Sequence, residues 1–199
     1  MRSIRCWTGL RGIFASFFDR ERENTIQTWF SSLLWLLAAR EAFRCASADT
    51  PPRLKFSFRL LGAGFLLFSV DETAMIHERT GDVVYRLIQQ AGLNLHLTSS
   101  IAPVVLSPLA VAAGIWGFLA FRACFTRSSG SACCMGLGVG AVFLGGFVLD
   151  GLTNLLPWGE KAWLWQTEII LEETLEMLGV IMIFSGLIKY QESPVAESR

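Results

Sequence analysis

Residues 163–190 read WLWQTEIILEETLEMLGVIMIFSGLIKY. A bilayer span needs about 20 mostly apolar residues, and this stretch is long and apolar enough to be one. Its first half nevertheless carries Glu168, Glu172, Glu173 and Glu176. Carboxylates inside a spanning helix are costly and by default mark a function. The stretch therefore sets two expectations: an all-α membrane bundle, and one depth within it where charge is concentrated.

The rest of the chain supports the first expectation. Of its 199 residues 52% are hydrophobic, with fifteen Phe and seven Trp, which suits lipid-facing walls and interfacial belts rather than a soluble domain. The bilayer is then the main partner, and a multi-pass location in the cell (inner) membrane is expected. The cysteines are Cys6, Cys45, Cys124, Cys133 and Cys134, an odd number without a CxxC, so neither a disulfide framework nor a zinc ribbon is indicated. There is no nucleotide-binding glycine motif. The basic residues are not interleaved with aromatics in the manner of a nucleic-acid binder, so no nucleic-acid partner is expected.

Working outward, residues 1–24 form an interfacial or soluble segment, 25–190 the helical bundle, and 191–199 a polar tail. The fold class is a polytopic, all-α transmembrane bundle. Four membrane helices are expected: from about Leu60, from Ser100 to Phe121, from Cys133 to Leu156, and the opening stretch. A fifth, Thr25 to Phe43, has a short uncharged core and must snorkel Arg40, so crossing and surface-lying both stay open. Residues 80–99 read as a polar loop with a short helix at VVYRLIQQAG. Gly136, Gly138, Gly140, Gly145 and Gly146 give the helix over 133–156 a small-residue face, which allows close packing against another helix or a membrane-protein partner.

Basic loops at Arg44–Arg59 and Arg122–Ala132 should face the cytoplasm. The end of the second apolar helix, the Asp150 end of the glycine-rich helix and the glutamate-rich start of the last helix then share the outer half. Ten acids collect there against Arg79, Arg86 and Lys161, so a formal net charge of zero hides an acidic outer half. Protons, a bound cation or water must neutralise it. At 100° per residue Glu172 and Glu176 share a stripe, and Asp71 and Glu78 share a face with His77 to one side. Asp71, His77, Glu78, Glu172 and Glu176 are therefore the candidate ligands of a divalent metal: iron, manganese or zinc. Carboxylates and imidazole from facing helices suit such ions. The paired E-x-x-H pattern of di-iron bundles is lacking, since Ala74 precedes His77 by three.

Three motifs carry a resemblance. TWFSS at Thr28–Ser32, DE-x4-HE at Asp71–Glu78 and EE-x2-EM-x-G at Glu172–Gly179 resemble those of a family of uncharacterised multi-pass bacterial membrane proteins, over about Glu23 to Tyr190. The resemblance implies a membrane bundle, usually with one more helix at the front, and no catalytic roles. Three functional readings stay open: a divalent metal site, a proton or cation relay, and a structural or accessory subunit of a membrane complex in which the acids cap helices and stand in interfacial water. Whether the protein is an enzyme is undecided at this point.

Overall fold

The computed structural model describes residues 26–47, 50–92, 107–109, 111–117, 119, 128–149 and 162–193. The expected segment 1–24, Asp150, most of 100–121 and the end of the tail lie outside them. The described residues are helical throughout, apart from short connections. Helix α1 is Ile26–Cys45, free of Gly and Pro, with Arg44 in its last turn where a cation complements the helix dipole. Helix α2 is Pro52–Ala74. It starts eight residues before the expected Leu60, because Pro52 occupies the first helical position, where a missing N–H costs nothing. Arg53, Lys55 and Arg59 consequently sit on its opening turns rather than in a loop.

Helix α3, Ile76–Gln90, replaces most of the expected polar loop. It ends through Gly92 at φ 82°, the left-handed position glycine fills without strain. Helix α4 is Ser129–Phe143, and a π-helical turn continues it over Leu144–Leu149. Ser128 caps it by accepting the Ser131 N–H at 3.3 Å, so SSGSA is a cap and first turn, not a flexible link. Helix α5, Ala162–Glu192, is 31 residues long and contains the whole opening stretch. At 1.5 Å per residue it extends about 46 Å. A shorter apolar helix covers Ser107–Gly117.

The long helices pack in the order α2, α1, α5, α4. Ala38, Ala39 and Ala42 of α1 are fully buried, and their small side chains let α1 sit between two neighbours. Around them lie Trp35, Phe58, Phe65, Val180, Ile183, Leu187 and Tyr190. Trp35 meets Phe65 and Phe68 at ring separations of 5.3 and 4.9 Å, and Phe58 meets Tyr190 at 4.9 Å. Ser32 and Ser69 exchange hydrogen bonds across α1 and α2: each hydroxyl donates to the other's carbonyl, at 2.7 and 2.9 Å.

The α4–α5 seam is made by glycines. A Cβ on Gly138 would stand 2.5 Å from the Gly179 carbonyl oxygen, and one on Gly179 would stand 2.6 Å from that of Gly138. Lower on the seam, the buried Ser131 hydroxyl donates to the Gly186 carbonyl at 2.7 Å. Gly145 and Gly146, both in the π-helical turn, abut Glu172, Leu175 and Glu176. The glycine face therefore divides: Gly138, Gly145 and Gly146 pack inside the chain, while Gly136 and Gly140 face open space.

Four or five apolar spans are not what the described helices supply. One stretch, Ser129–Leu149, is long and apolar enough to cross a membrane. The pair Pro52–Ala74 and Arg79–Gln90 qualifies only when taken together, across a 72° bend. The physical reason is charge: α1 carries Arg40, Glu41 and Arg44, and α5 carries four glutamates in its first half.

Candidate functional site

This packing brings the start of α1, the end of α2, the π-helical turn and the first half of α5 to one end of the bundle. The opposite end gathers Arg40, Arg44, Arg53, Lys55 and Lys189. Carboxylates of α2 and α5 therefore meet at this end, though not the five candidate ligands as a set; Asp150 and Glu160 lie outside the described residues.

Local backbone explains the difference. Helix α2 stops at Met75, whose φ of 51° and ψ of 44° place a non-glycine residue in the left-handed region. Such a residue costs about 1–2 kcal/mol and must be held by its surroundings. Here the Met75 N–H donates to the Asp71 carbonyl at 2.6 Å. The Asp71 carboxylate reaches across the break, accepting the His77 backbone N–H at 2.9 Å and contacting His77 Nδ1 at 2.6 Å. Asp71 thereby caps the start of α3 while belonging to α2. The 100°-per-residue projection of 71–78 as one helix fails at Met75, and His77 turns toward Asp71 rather than toward α5. The Glu78 side chain lies outside the described residues.

The carboxylates of α5 meet a different partner, Glu72. Gln27, Thr28, Ser31, Glu72, Glu173, Glu176 and Met177 line a half-open cleft of about 60 Å³. Ser31 Oγ donates to Glu72 Oε1 at 3.0 Å. The Glu176 carboxylate lies over Gly146, where a Cβ would collide with it. The buried Gln27 Oε1 has no hydrogen-bond partner. Among the described residues no cationic side chain lines the cleft; the lining groups are carboxylates, an amide, hydroxyls and the Met177 thioether.

Of the five candidate ligands, the structure brings Asp71 and His77 together and places Glu176 in the cleft. Glu172 sits one turn earlier on α5, its carbonyl against Gly145. Among the described residues no group of three or more His, Cys, Asp or Glu has the arrangement of a metal site. The residues the sequence reading passed over are Gln27, Thr28, Ser31, Glu72 and Glu173. Helical spacing held the signal: 27, 28 and 31 share one face, as do 173, 176 and 177.

At the opposite end, Glu41 is buried at 3% exposure and fully engaged. Arg44 Nη1 donates to its carboxylate at 3.0 Å, and Gln191 Nε2 donates to it at 3.0 Å. Cys45, also buried, points its thiol at the Leu187 carbonyl 3.6 Å away.

No curated protein and no solved structure matches the chain. One family model does, covering residues 5–190 and taking in both ends of the bundle; the chain belongs to the family described as a domain of unknown function, DUF8692.

Proposed function

We propose that the chain is a multi-pass membrane protein that takes up a hard divalent cation at the cleft between Glu72, Glu173 and Glu176. The membrane half of the reading is supported by surface chemistry. The outward faces of every long helix carry exposed large apolar side chains: Trp29 at 63% on α1, Leu67 at 69% on α2, Leu137 on α4 and Leu178 on α5. Large apolar side chains exposed along every long helix are natural against lipid. Snorkelling of Arg40 and Arg44 at one end and clustering of carboxylates at the other let charge-bearing helices stand in a bilayer. With the basic end in the cytoplasm, the cleft opens on the outer side.

The observation that carries the cation half is the unpartnered Gln27 amide oxygen in a cleft lined, among the described residues, by three carboxylates, two hydroxyls and no base; the carboxylates do not stand in the arrangement of a metal site and would have to close on the ion. Oxygen donors of this kind suit magnesium, calcium or manganese. His77, the one donor that favoured zinc or iron, is engaged by Asp71. A bound cation would neutralise the carboxylates and give Gln27 Oε1 a partner. The relay reading gains less, because the opposite end is closed by the Glu41 contacts. The test is calorimetric titration of the purified protein in mild detergent with manganese and with magnesium. Saturable binding at one site, lost in Glu173→Gln and Glu72→Gln but kept in His77→Ala, is expected. No binding of either ion, or equal binding by all four proteins, overturns the cation reading and leaves the membrane reading standing.

A further inference from the structure

Among the described helices, α3 makes its main contacts with the adjoining end of α2 and leaves one apolar stripe exposed. A free helix of 15 residues is marginal in water. Its sequence is strongly two-faced. At 100° per residue Ile76, Val83 and Leu87 fall within about 40° of one another, while Asp82, Arg86 and Gln89 occupy the far side. The apolar stripe is uncovered, with Ile76, Val83 and Leu87 at 50%, 56% and 58% exposure. It follows on from the exposed apolar end of α2, where Leu67, Phe68 and Val70 also face outward.

We propose that α3 lies in the plane of the bilayer surface, with Ile76, Val83 and Leu87 dipped into the boundary between headgroups and acyl chains, beside the mouth of the carboxylate cleft. This rests on the membrane reading above. The 72° bend between α2 and the body of α3 supplies the angle. Membrane helices tilt by about 20° on average, so a helix bent this far from α2 lies within about 40° of the membrane plane. The Asp71 clasp on His77 holds the start of α3 across the bend. Amphipathic helices of this kind bury their apolar face about 5–10 Å deep. The acids and bases of α3 cancel: Glu78 and Asp82 against Arg79 and Arg86. Attachment is therefore through apolar contact, and anionic lipid is not required. The occupant of the stripe is the zwitterionic lipid surface itself.

The experiment places one environment-sensitive fluorescent residue, by nonsense suppression, at Val83, Leu87, Asp82 or Gln89 of the full chain in phosphatidylcholine vesicles. Lipids brominated near the headgroup should quench positions 83 and 87 at least about twofold more than lipids brominated near the chain ends. Aqueous iodide should quench positions 82 and 89 instead. Stronger deep than shallow quenching at Leu87 would make α3 the continuation of a broken span and overturn the proposal. Equal iodide quenching at all four positions would overturn it as a helix off the membrane. A chain that fails to enter vesicles at all would remove the membrane reading, and that outcome is distinct from the other two.

Discussion

The two ends of the bundle use glutamate in opposite ways. Glu41 is buried and every donor around it is spoken for: Arg44 from its own helix, Gln191 from α5, and Arg40 at 3.9 Å. Glu72, Glu173 and Glu176 instead share a cleft with an amide oxygen that has no partner. The basic end also holds the best-packed part of the core, with Phe58, Ile183, Leu187 and Tyr190. A carboxylate held on all sides stabilises one arrangement of helices. Carboxylates gathered beside an unpartnered amide oxygen offer oxygen atoms that a ligand can use. On the proposed reading, the contrast separates the residues that keep the bundle together from those that take up the cation.

The largest effect should come from the seam that both ends depend on. Gly138→Leu forces a side chain into the Gly179 backbone, and neither backbone can yield without separating α4 from α5. A loss of at least about 3 kcal/mol, or no folded protein, is expected in detergent thermal melts. Gly136→Leu, with open space around its Cβ, should melt like the parent. Similar melting of both variants would show that the seam does not bear on stability. Next in size is the cation response. At a hundredfold excess over its dissociation constant, manganese should stabilise the parent by about 2.7 kcal/mol and Glu173→Gln by much less. If the ends differ as argued, Glu41→Ala shows the reverse pattern: it loses about 1–3 kcal/mol of stability and retains the full cation response. A cation response lost in Glu41→Ala would mean the two ends are coupled.

Smaller effects test the bend and the α1–α2 contact. Asp71→Ala removes the acceptor that caps α3 and should cost about 0.5–2 kcal/mol, confined to faster amide exchange over 76–90. Unchanged exchange there would assign the bend to Met75 alone. A double-mutant cycle between Ser32→Ala and Ser69→Ala should return a coupling of about 0.5–1.5 kcal/mol, the usual net worth of an intramolecular hydrogen bond.

Much of the bundle was legible from residues alone. Apolar runs gave α1, most of α2, the start of α4 and α5 to within a few residues, while the four or five membrane spans expected from those runs are not supplied by the described helices. The glycines of 133–156 pointed to a close seam, which Gly138 and Gly179 form. The site was harder to read, for a local reason. Met is an unlikely left-handed residue, so nothing in SVDETAMIHE marks the break that takes His77 away from α5. Treating 71–78 as one helix put the wrong residues on the inner face. Glu72 stands in the DE-x4-HE motif, but its partner Ser31 lies on another helix and shares no sequence signal with it. Pro52 shows the converse: a familiar helix opener whose meaning was masked by the basic residues around it.

The Glu41 contacts also have a time order. Arg44 is three residues from Glu41, whereas Gln191 is 150 residues away. At synthesis rates of about 5–20 residues per second, roughly seven to thirty seconds separate the arrival of the two donors. During that interval α1 exists without α5, and its carboxylate has only the arginines of its own helix for company. Arg44 thus acts first as an escort, keeping a charge that is destined for burial neutralised while the rest of the chain is made. Gln191 then closes the position, and the last turns of the last helix become the step that commits the first.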